Sequence, residues 1–519
     1  MVDTLENDRE GGNAAGTAAA GGSLADKTVR GAGWMVTWRF TTRTLGALST
    51  FVLARLLSPM DFGLVALAGA FARAVDAMAT LGIQDVMLRE KNPDESYYST
   101  GFTLGLVRTG AAAVVIVAAA YPVGRFFGDQ RLSVILLILG PLLVIESCEN
   151  VGTLDFRRYF RFDRDFILFM VPRVAAVVAT VGTALVTRSY WALVVGMVVQ
   201  KTSRVALSYA MHPFRPQLTL VAWRRLLGLS SWIWGASVAG FCRERADSFI
   251  IGRLMNTSAV GLFSASLEVA LLPISEFVEP VGRALYAGLS AIHHSGRASS
   301  DTLAKAMGAT LCIVLPAGVG ISLVAAPLIR VTLGPAWLGG VPLVAIIGPF
   351  AAFSVVTNIG MLGVLAIGNP KITTFTTAAM ALLRVPLLIA GVAFGGLQGI
   401  AWATGGALAL ESVIYLAVLG RVTGFRVGAL VSESWRSAVA TGGMTLLLVH
   451  LGLAWNPAPA ALPEAFAQLG IAAATGVGAY AALLLALWAI AGCPDGPESL
   501  LLRNVGRRLP VLAFGRRAT

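Results

Sequence analysis

Arginines and carboxylates stand inside stretches of this chain that are otherwise fit only for hydrocarbon. Arg39, Arg43, Arg73, Arg243 and Arg245 lie in apolar runs, and so do Asp76, Asp247, Glu268, Glu276 and Glu279. A guanidinium stays ionised at physiological pH and grips phosphate or carboxylate oxygens through two parallel charge-assisted bonds. Carboxylates in the same surroundings serve as counter-charges or as sites of ion coupling. A charge at the centre of a bilayer costs about 2.5–3.5 kcal/mol on insertion scales, so such residues normally face a partner or a hydrated interior. The chemistry these residues suit is anion binding with balancing acids.

Helical spacing sorts the charges. Arg39 and Arg43 are four apart and share a face. Counted at 1.5 Å per residue from the expected helix ends, Arg43 and Arg73 lie roughly 14 Å deep, while Arg39 and Asp76 lie roughly 8–9 Å deep. An Arg39–Asp76 pair is expected, with Arg43 and Arg73 less neutralised. Further on, Arg243-Glu244-Arg245-Ala246-Asp247 places four charges within five positions. Arg243 and Asp247 have pairing distance at i,i+4, which leaves Glu244 and Arg245 pointing elsewhere. Glu268 is at nearly the depth of Arg243 and Arg245, with Glu276 and Glu279 lower on the same helix. The competing account of these charges is a set of structural ion pairs that anchor neighbouring helices.

Other chemistries find no support. The chain has no GxxxxGK[ST] phosphate loop, so ATP hydrolysis is not expected. Of four histidines, His293 and His294 fall in a loop and His450 is isolated. Cys148, Cys242, Cys312 and Cys493 show neither CxxC nor zinc spacing and suit packing. Asp163-Arg164-Asp165 matches a DxD metal–nucleotide motif, but it sits among Arg157, Arg158, Arg161 and Arg164 in a short loop, and no nucleotide-binding domain surrounds it. A basic, aromatic segment snorkelling at headgroups is the expectation there. Neither a cofactor nor a metal is expected, and the chain does not read as an enzyme.

The elements that must position these charges are long apolar helices. The 519 residues are 56% hydrophobic with a mean hydropathy of +0.74. A spanning helix needs about 20 mostly apolar residues, and the pattern recurs about fourteen times. The expected spans are 34–57, 62–82, 100–122, 132–152, 166–187, 190–210, 228–252, 260–282, 303–325, 341–367, 372–394, 398–420, 436–455 and 466–491. Connections are short, so the fold class is an all-α integral membrane protein. Residues 1–33 are Gly/Ala-rich and polar and read as a disordered cytoplasmic tail. Residues 494–519 form a basic tail suited to an anionic membrane surface.

The net charge of +12 is unevenly placed. If the spans alternate from a cytoplasmic N-terminus, one side collects the clusters Arg157–Arg164 and Arg215–Arg225 and the five tail arginines. The other side holds only Arg55, Arg125, Arg131, Arg188, Arg253 and Arg330. This is the positive-inside bias for two cytoplasmic termini. The basicity is a topology signal, and nucleic acid is not an expected partner.

The chain also matches itself at an offset of 198 residues. Phe51-Val-Leu-Ala-Arg55-Leu56 aligns with Phe249-Ile-Ile-Gly-Arg253-Leu254, and Gly63-Leu64 with Gly261-Leu262. The offset spans an even number of helices, so both copies share one orientation, related by an axis along the membrane normal. The expected organisation is an N-lobe over 34–215, a C-lobe over 216–425, an accessory helix pair over 426–493 and the tail beyond. Cargo would bind between the two six-helix halves.

Several motifs carry a family resemblance. They are Gly33-Trp34; Leu53-Ala54-Arg55-Leu56-Leu57-Ser58-Pro59-Met60-Asp61-Phe62-Gly63-Leu64; Leu154-Asp155-Phe156-Arg157; Tyr190-Trp191-Ala192-Leu193; and Ala246-Asp247-Ser248-Phe249-Ile250-Ile251-Gly252-Arg253. Over roughly residues 30–490 the chain resembles Wzx-type flippases, the polysaccharide-exporter branch of the multidrug/oligosaccharidyl-lipid/polysaccharide superfamily. The resemblance implies a two-lobed transporter of the bacterial inner membrane that moves polyprenyl-diphosphate-linked oligosaccharide to the periplasmic leaflet by alternating access. It would act as a monomer among membrane lipid, beside polymerase and chain-length components. A diphosphate would give Arg39, Arg43, Arg73, Arg243 and Arg245 their task, with Asp76, Asp247, Glu268, Glu276 and Glu279 balancing charge or coupling an ion. The alternatives are a multidrug/cation antiporter of the same superfamily and an integral-membrane glycosyltransferase or polymerase. The first favours acidic and aromatic cavities; the second needs large catalytic loops.

Overall fold

In water a helix is held by one apolar face; in lipid every backbone group must be satisfied within the segment itself, which leaves helices as the spanning form. The computed structural model describes residues 41–42, 45–46, 48–79, 87, 94–159, 161–226, 231–272, 274, 278, 300–366 and 370–492. Among them every regular element is helical. Both tails, Arg39, Arg43, Glu276 and Glu279 lie outside the described residues.

The long helices are α1 (Pro59–Ala79), α2 (Glu95–Phe127), α3 (Gln130–Ser147), α4 (Phe162–Thr187), α5 (Trp191–Met211) and α6 (Ser231–Leu254). They continue with α7 (Thr257–Ala270), α8 (Ser300–Leu323), α9 (Val341–Ala366), α10 (Pro370–Thr423), α11 (Val427–His450) and α12 (Leu462–Ile490). Eight described helices are long and apolar enough to cross a membrane. Most bounds fall within a few residues of the expected spans. Two short pieces, Ala325–Thr332 and Pro335–Gly340, lie between α8 and α9 where only a connection was expected. Helix α10 turns sharply at Gly396, whose φ of 53° and ψ of −132° are not helical, in the gap between the expected spans 372–394 and 398–420. Gly391 and Gly399 let the two arms close. A Cβ on Gly399 would sit 2.0 Å from the Gly391 carbonyl oxygen.

The chain divides into two compact units: residues 1–57, 79–123 and 130–229, and residues 58–78, 124–129 and 230–519. The first contains α3, α4, α5 and most of α2. Its packing relies on small residues: a Cβ on Gly196 of α5 would lie 1.8 Å from Thr180 Oγ1 of α4, the close approach typical of helices in lipid. The outward surface is apolar, with Val107 61%, Val114 69% and Val178 67% exposed.

The second unit holds α1 and α6 through α12. One core runs through Met307, Val314, Val355, Ile359 and Leu419, all fully or nearly fully buried. The last two helices are tied in by polar contacts. Tyr480 Oη of α12 donates to the Cys312 carbonyl of α8 at 2.6 Å and lies 2.9 Å from Ser437 Oγ of α11.

Within this unit the aligned repeat segments meet. Ser58 caps α1: its Oγ accepts the Asp61 N–H at 3.3 Å, and Asp61 Oδ2 accepts the Ser58 N–H at 3.0 Å, a reciprocal capping box. Asn256, its mate in the repeat, caps α7 by accepting the Ala259 N–H at 2.8 Å. One turn on, Gly63 and Gly261 press together. A Cβ on Gly63 would stand 1.8 Å from the Thr257 carbonyl oxygen, and one on Gly261 would stand 1.8 Å from that of Pro59. Each glycine therefore abuts the first helical residue of the opposite copy.

Candidate functional site

Helix α6 presents its charges on different sides. Asp247 is buried and Arg243 half-buried, while Glu244 and Arg245 are exposed. Arg243 is held by carboxylates other than the expected Asp247. Its Nη1 lies 3.5 Å from Glu411 Oε2 and its Nη2 lies 3.6 Å from Glu244 Oε1. Glu411, on the second arm of α10, also accepts from Arg384 Nη1 on the first arm at 3.3 Å. Arg384 and Glu411 are only 8% and 4% exposed, and their hairpin partnership follows from the turn at Gly396.

One acid thus serves two guanidiniums, at distances longer than the 2.7–2.9 Å of a tight charge-assisted bond. The Nε atoms of Arg243 and Arg384 are buried with no hydrogen-bond acceptor. Asp247 Oδ1 accepts the Ser248 N–H at 2.7 Å and lies within electrostatic reach of Arg384 and Arg245. Two acids and two arginines therefore balance in the packed interior of the second unit, where an unpaired charge is strongly destabilising.

Beside this neutral cluster stand Arg245 and Arg73. Arg73, on α1, is exposed and folds back over Gly69, where a Cβ would come within 3.2 Å of its Nη1. It feels the repulsion of Arg245. The two guanidiniums, on α1 and α6, are thus within electrostatic reach of each other. Asp76 is half-buried on the same helix as Arg73, and Glu268 is exposed on α7.

The sequence reading missed Arg384 and Glu411, although both lie at mid-span and the cost of intramembrane charge pointed to them. It also missed Arg173, inside α4, whose Nη2 would be 3.0 Å from a Cβ on Gly46 of the first helical segment.

The first unit carries a second set of ion pairs, around the segment 146–165. Asp155 pairs with Arg158 at 2.9 Å and also accepts from Tyr98 Oη. Arg158 Nη2 donates to the Met87 carbonyl at 2.7 Å. Arg204 pairs with Glu149 at 3.0 Å and stacks over Phe169 at 4.1 Å, and Lys201 pairs with Glu146. The DxD-like Asp165 is buried and engaged by Arg157 at 3.1 Å, so it is closed to a metal–nucleotide role. No group of three metal-ligating side chains occurs among the described residues. The segment was expected to snorkel, but Phe156 is buried at 2% and turns the short helix Leu154–Arg158 inward, so Asp155 and Arg158 become internal partners. His212 joins them: its Nε2 is 3.8 Å from Asp155 Oδ2, and its Nδ1 accepts the Phe214 N–H at 3.2 Å. Burial holds this imidazole below its ordinary value, outweighing the pull of Asp155.

The solved structure of the lipid II flippase MurJ in an inward closed conformation superposes with a TM-score of 0.69, at 14% identity, over 87% of this chain and 98% of that one. An inward-facing multidrug resistance MATE family transporter of the MOP superfamily gives a TM-score of 0.58 at 15% identity, over 74% of this chain and 95% of that one. Residues 52–342, more than half of the chain, match the family described as polysaccharide biosynthesis protein, and the chain belongs to that family. Among its relatives are the succinoglycan biosynthesis transport protein ExoT of Rhizobium meliloti (strain 1021) and the lipopolysaccharide biosynthesis protein WzxC of Escherichia coli (strain K12). ExoT is 23% identical over 440 residues, 84% of this chain and 85% of the relative. WzxC is 20% identical over 387 residues, 73% and 78% of the two chains. The Wzx-type resemblance of its motifs stands.

Proposed function

We propose that this protein carries polyprenyl-diphosphate-linked oligosaccharide from the cytoplasmic to the periplasmic leaflet of the bacterial inner membrane, for exopolysaccharide, capsule or O-antigen synthesis. The observation that carries the reading is that Arg73 and Arg245, both exposed and on different helices, lie within electrostatic reach of one another. Like charges on neighbouring helices repel, and a polyanionic cargo group removes that cost by bridging them. The interior acids leave cationic charge over: Glu411 is shared by Arg243 and Arg384, and Asp247 is shared by Arg384 and Arg245.

In this reading the chain has fourteen spans with both termini cytoplasmic, and two six-helix lobes related by the 198-residue repeat. The mutual contact of Gly63 and Gly261 supports that symmetry. Arg39 and Arg43 are further cationic candidates for the same cargo. Arg243 is a further candidate for cargo contact, and Asp76, Glu268, Glu276 and Glu279 are candidates for charge balance or ion coupling. The saccharide follows the diphosphate through the hydrated path while the polyprenyl chain stays in lipid. The relatives named for succinoglycan transport and for lipopolysaccharide biosynthesis are in keeping with a glycan cargo.

The test is a deletion strain examined by mass spectrometry of its lipid extract. A polyprenyl-diphosphate saccharide is expected to accumulate, and the wild-type gene is expected to clear it. An unchanged lipid pool together with normal surface glycan contradicts the proposal.

A further inference from the structure

Between α5 and the short helix Trp223–Leu226 the chain runs without helical structure through residues 212–220. It is stitched to the first two turns of α2. The Gln217 N–H donates to Ser99 Oγ at 3.3 Å, the Thr219 N–H to Thr103 Oγ1 at 3.0 Å, and the Ala222 N–H to Thr100 Oγ1 at 3.2 Å. The threonine hydroxyls are fully used, because Thr100 and Thr103 themselves donate to the carbonyls of Ser96 and Ser99 at 2.7 and 2.8 Å. The start of the segment is fixed by Asn150 Nδ2, which donates to the Phe214 carbonyl at 2.7 Å.

This stitching has a consequence for the side chains. The bonds hold the backbone at 217, 219 and 222 against α2, and the apolar side chains between and beyond these points are left exposed. Leu218 is 72% exposed, Leu220 48% and Val221 81%, and Trp223 follows at 44%. An apolar strip is held outward by bonds that use only backbone donors. Arg224 lies over the Trp223 ring at 5.5 Å, an aromatic body beside a cationic head.

The position of the strip selects its partner. Helix α2 has 33 residues, about 50 Å at 1.5 Å per residue, against a hydrocarbon core of about 30 Å. Centred on that core, it would leave about 10 Å, some seven residues, beyond the hydrocarbon at each end, with Ser99 and Thr100 in the overhang and Thr103 just inside it. The exposed apolar surface of α2, beginning at Val107, continues the strip into the bilayer. Arg215 and Arg224 flank it, and arginine beside tryptophan suits the border between acyl chain and phosphate.

We propose that residues 216–224 are an interfacial anchor that seats Leu218, Leu220, Val221 and Trp223 at the acyl-chain border of an anionic phospholipid leaflet, with Arg224 on lipid phosphate. The proposal needs only that the chain spans a bilayer, not the cargo assigned above.

The test places a bimane on Leu220→Cys, after Cys148, Cys242, Cys312 and Cys493 are replaced by serine or alanine, in proteoliposomes holding this protein alone. Phospholipids brominated on the acyl chain are expected to quench the label, and aqueous iodide is expected to leave it bright. Brominated anionic lipid is expected to quench more than its zwitterionic counterpart. Arg224→Gln is expected to cut that preference by up to about fivefold, the equivalent of the ~1 kcal/mol attached to one basic residue at an anionic surface. Quenching by iodide and not by bromolipid overturns the proposal, and is the result expected if the strip is a docking face for another protein. Equal quenching by the two lipid types, unchanged in Arg224→Gln, overturns the phosphate contact. A second label at Val221→Cys guards against a local disturbance at 220.

Discussion

Gly63 and Gly261 meet as mates of the internal repeat, each facing the backbone carbonyl at the start of the other's helix. Around them the repeat extends to unlike side chains performing like tasks. Ser58 and Asn256 each cap the N–H three residues on. The Leu57 N–H bonds the Leu53 carbonyl at 2.8 Å, as the Met255 N–H bonds that of Ile251. The two segments aligned at an offset of 198 thus share caps and backbone bonds where their side chains differ.

Alanine at either glycine is predicted to destabilise the protein by about 1–3 kcal/mol, since a methyl must force two helix backbones apart. The double variant should cost less than the sum, because the first widening accommodates the second methyl. Thermal unfolding followed by size-exclusion chromatography in detergent checks this. Full additivity contradicts a direct contact.

Removing Glu411 strands two guanidiniums. Glu411→Ala is predicted to cost about 3–5 kcal/mol and to lower the yield of folded protein sharply. Replacing Arg384 and Glu411 together by methionine should be milder, because the pair leaves together while Arg243 keeps Glu244 and Asp247 keeps Arg245 within electrostatic reach. Yield and melting temperature of the two variants, measured side by side, provide the check. A double variant worse than the single one contradicts the shared-acid geometry.

His212 makes stability depend on pH. Burial lowers its folded pKa below the ordinary 6.5, so the unfolded chain binds the proton more readily. The associated stability is present above about pH 6.5 and is lost as the pH falls through the folded value. Melting temperature measured from pH 8 to pH 5 should fall more steeply for wild type than for His212→Gln. Equal slopes count against the buried neutral imidazole.

Tyr480→Phe should loosen the last two helices from α8 by removing the hydroxyl that joins Cys312 and Ser437. A loss of about 1 kcal/mol is predicted, read as faster proteolysis near residues 451–461. Unchanged proteolysis shows that packing alone holds these helices.

Legibility from sequence followed the range of the interaction. Span positions could be read because about 20 apolar residues in a row have few alternatives, and Gly396 fell in the gap left between two of them. The pairing of charges could not be read this way. Arg243 and Asp247 looked like partners because i,i+4 geometry is visible in a sequence. Arg243 in fact turns to Glu411, 168 residues away, across an interface that only the fold creates. Arg384 and Glu411 obey the same cost rule as Arg243, but each is the lone charge of its expected span, so no local spacing marks a partner. The inward turn of Asp155 and Arg158 escaped notice because a loop rich in arginine looks solvated until Tyr98 and the Met87 carbonyl are placed beside it. The stitching of Gln217, Thr219 and Ala222 left no trace beyond three hydroxyls early in α2.

The central claim is that Arg73 and Arg245 together receive the phosphates of the cargo. It is tested most directly by titrating purified protein in nanodiscs with a fluorescent polyprenyl diphosphate, comparing wild type with Arg73→Ala, Arg245→Ala and the double variant. The account predicts a loss of at least about tenfold in affinity for the double variant, consistent with ~1.5–3 kcal/mol per hydrogen bond to a charged group. It also predicts a salt dependence that weakens in step, and melting temperatures no lower than wild type once the repulsion is removed. Undiminished affinity in the folded double variant contradicts it.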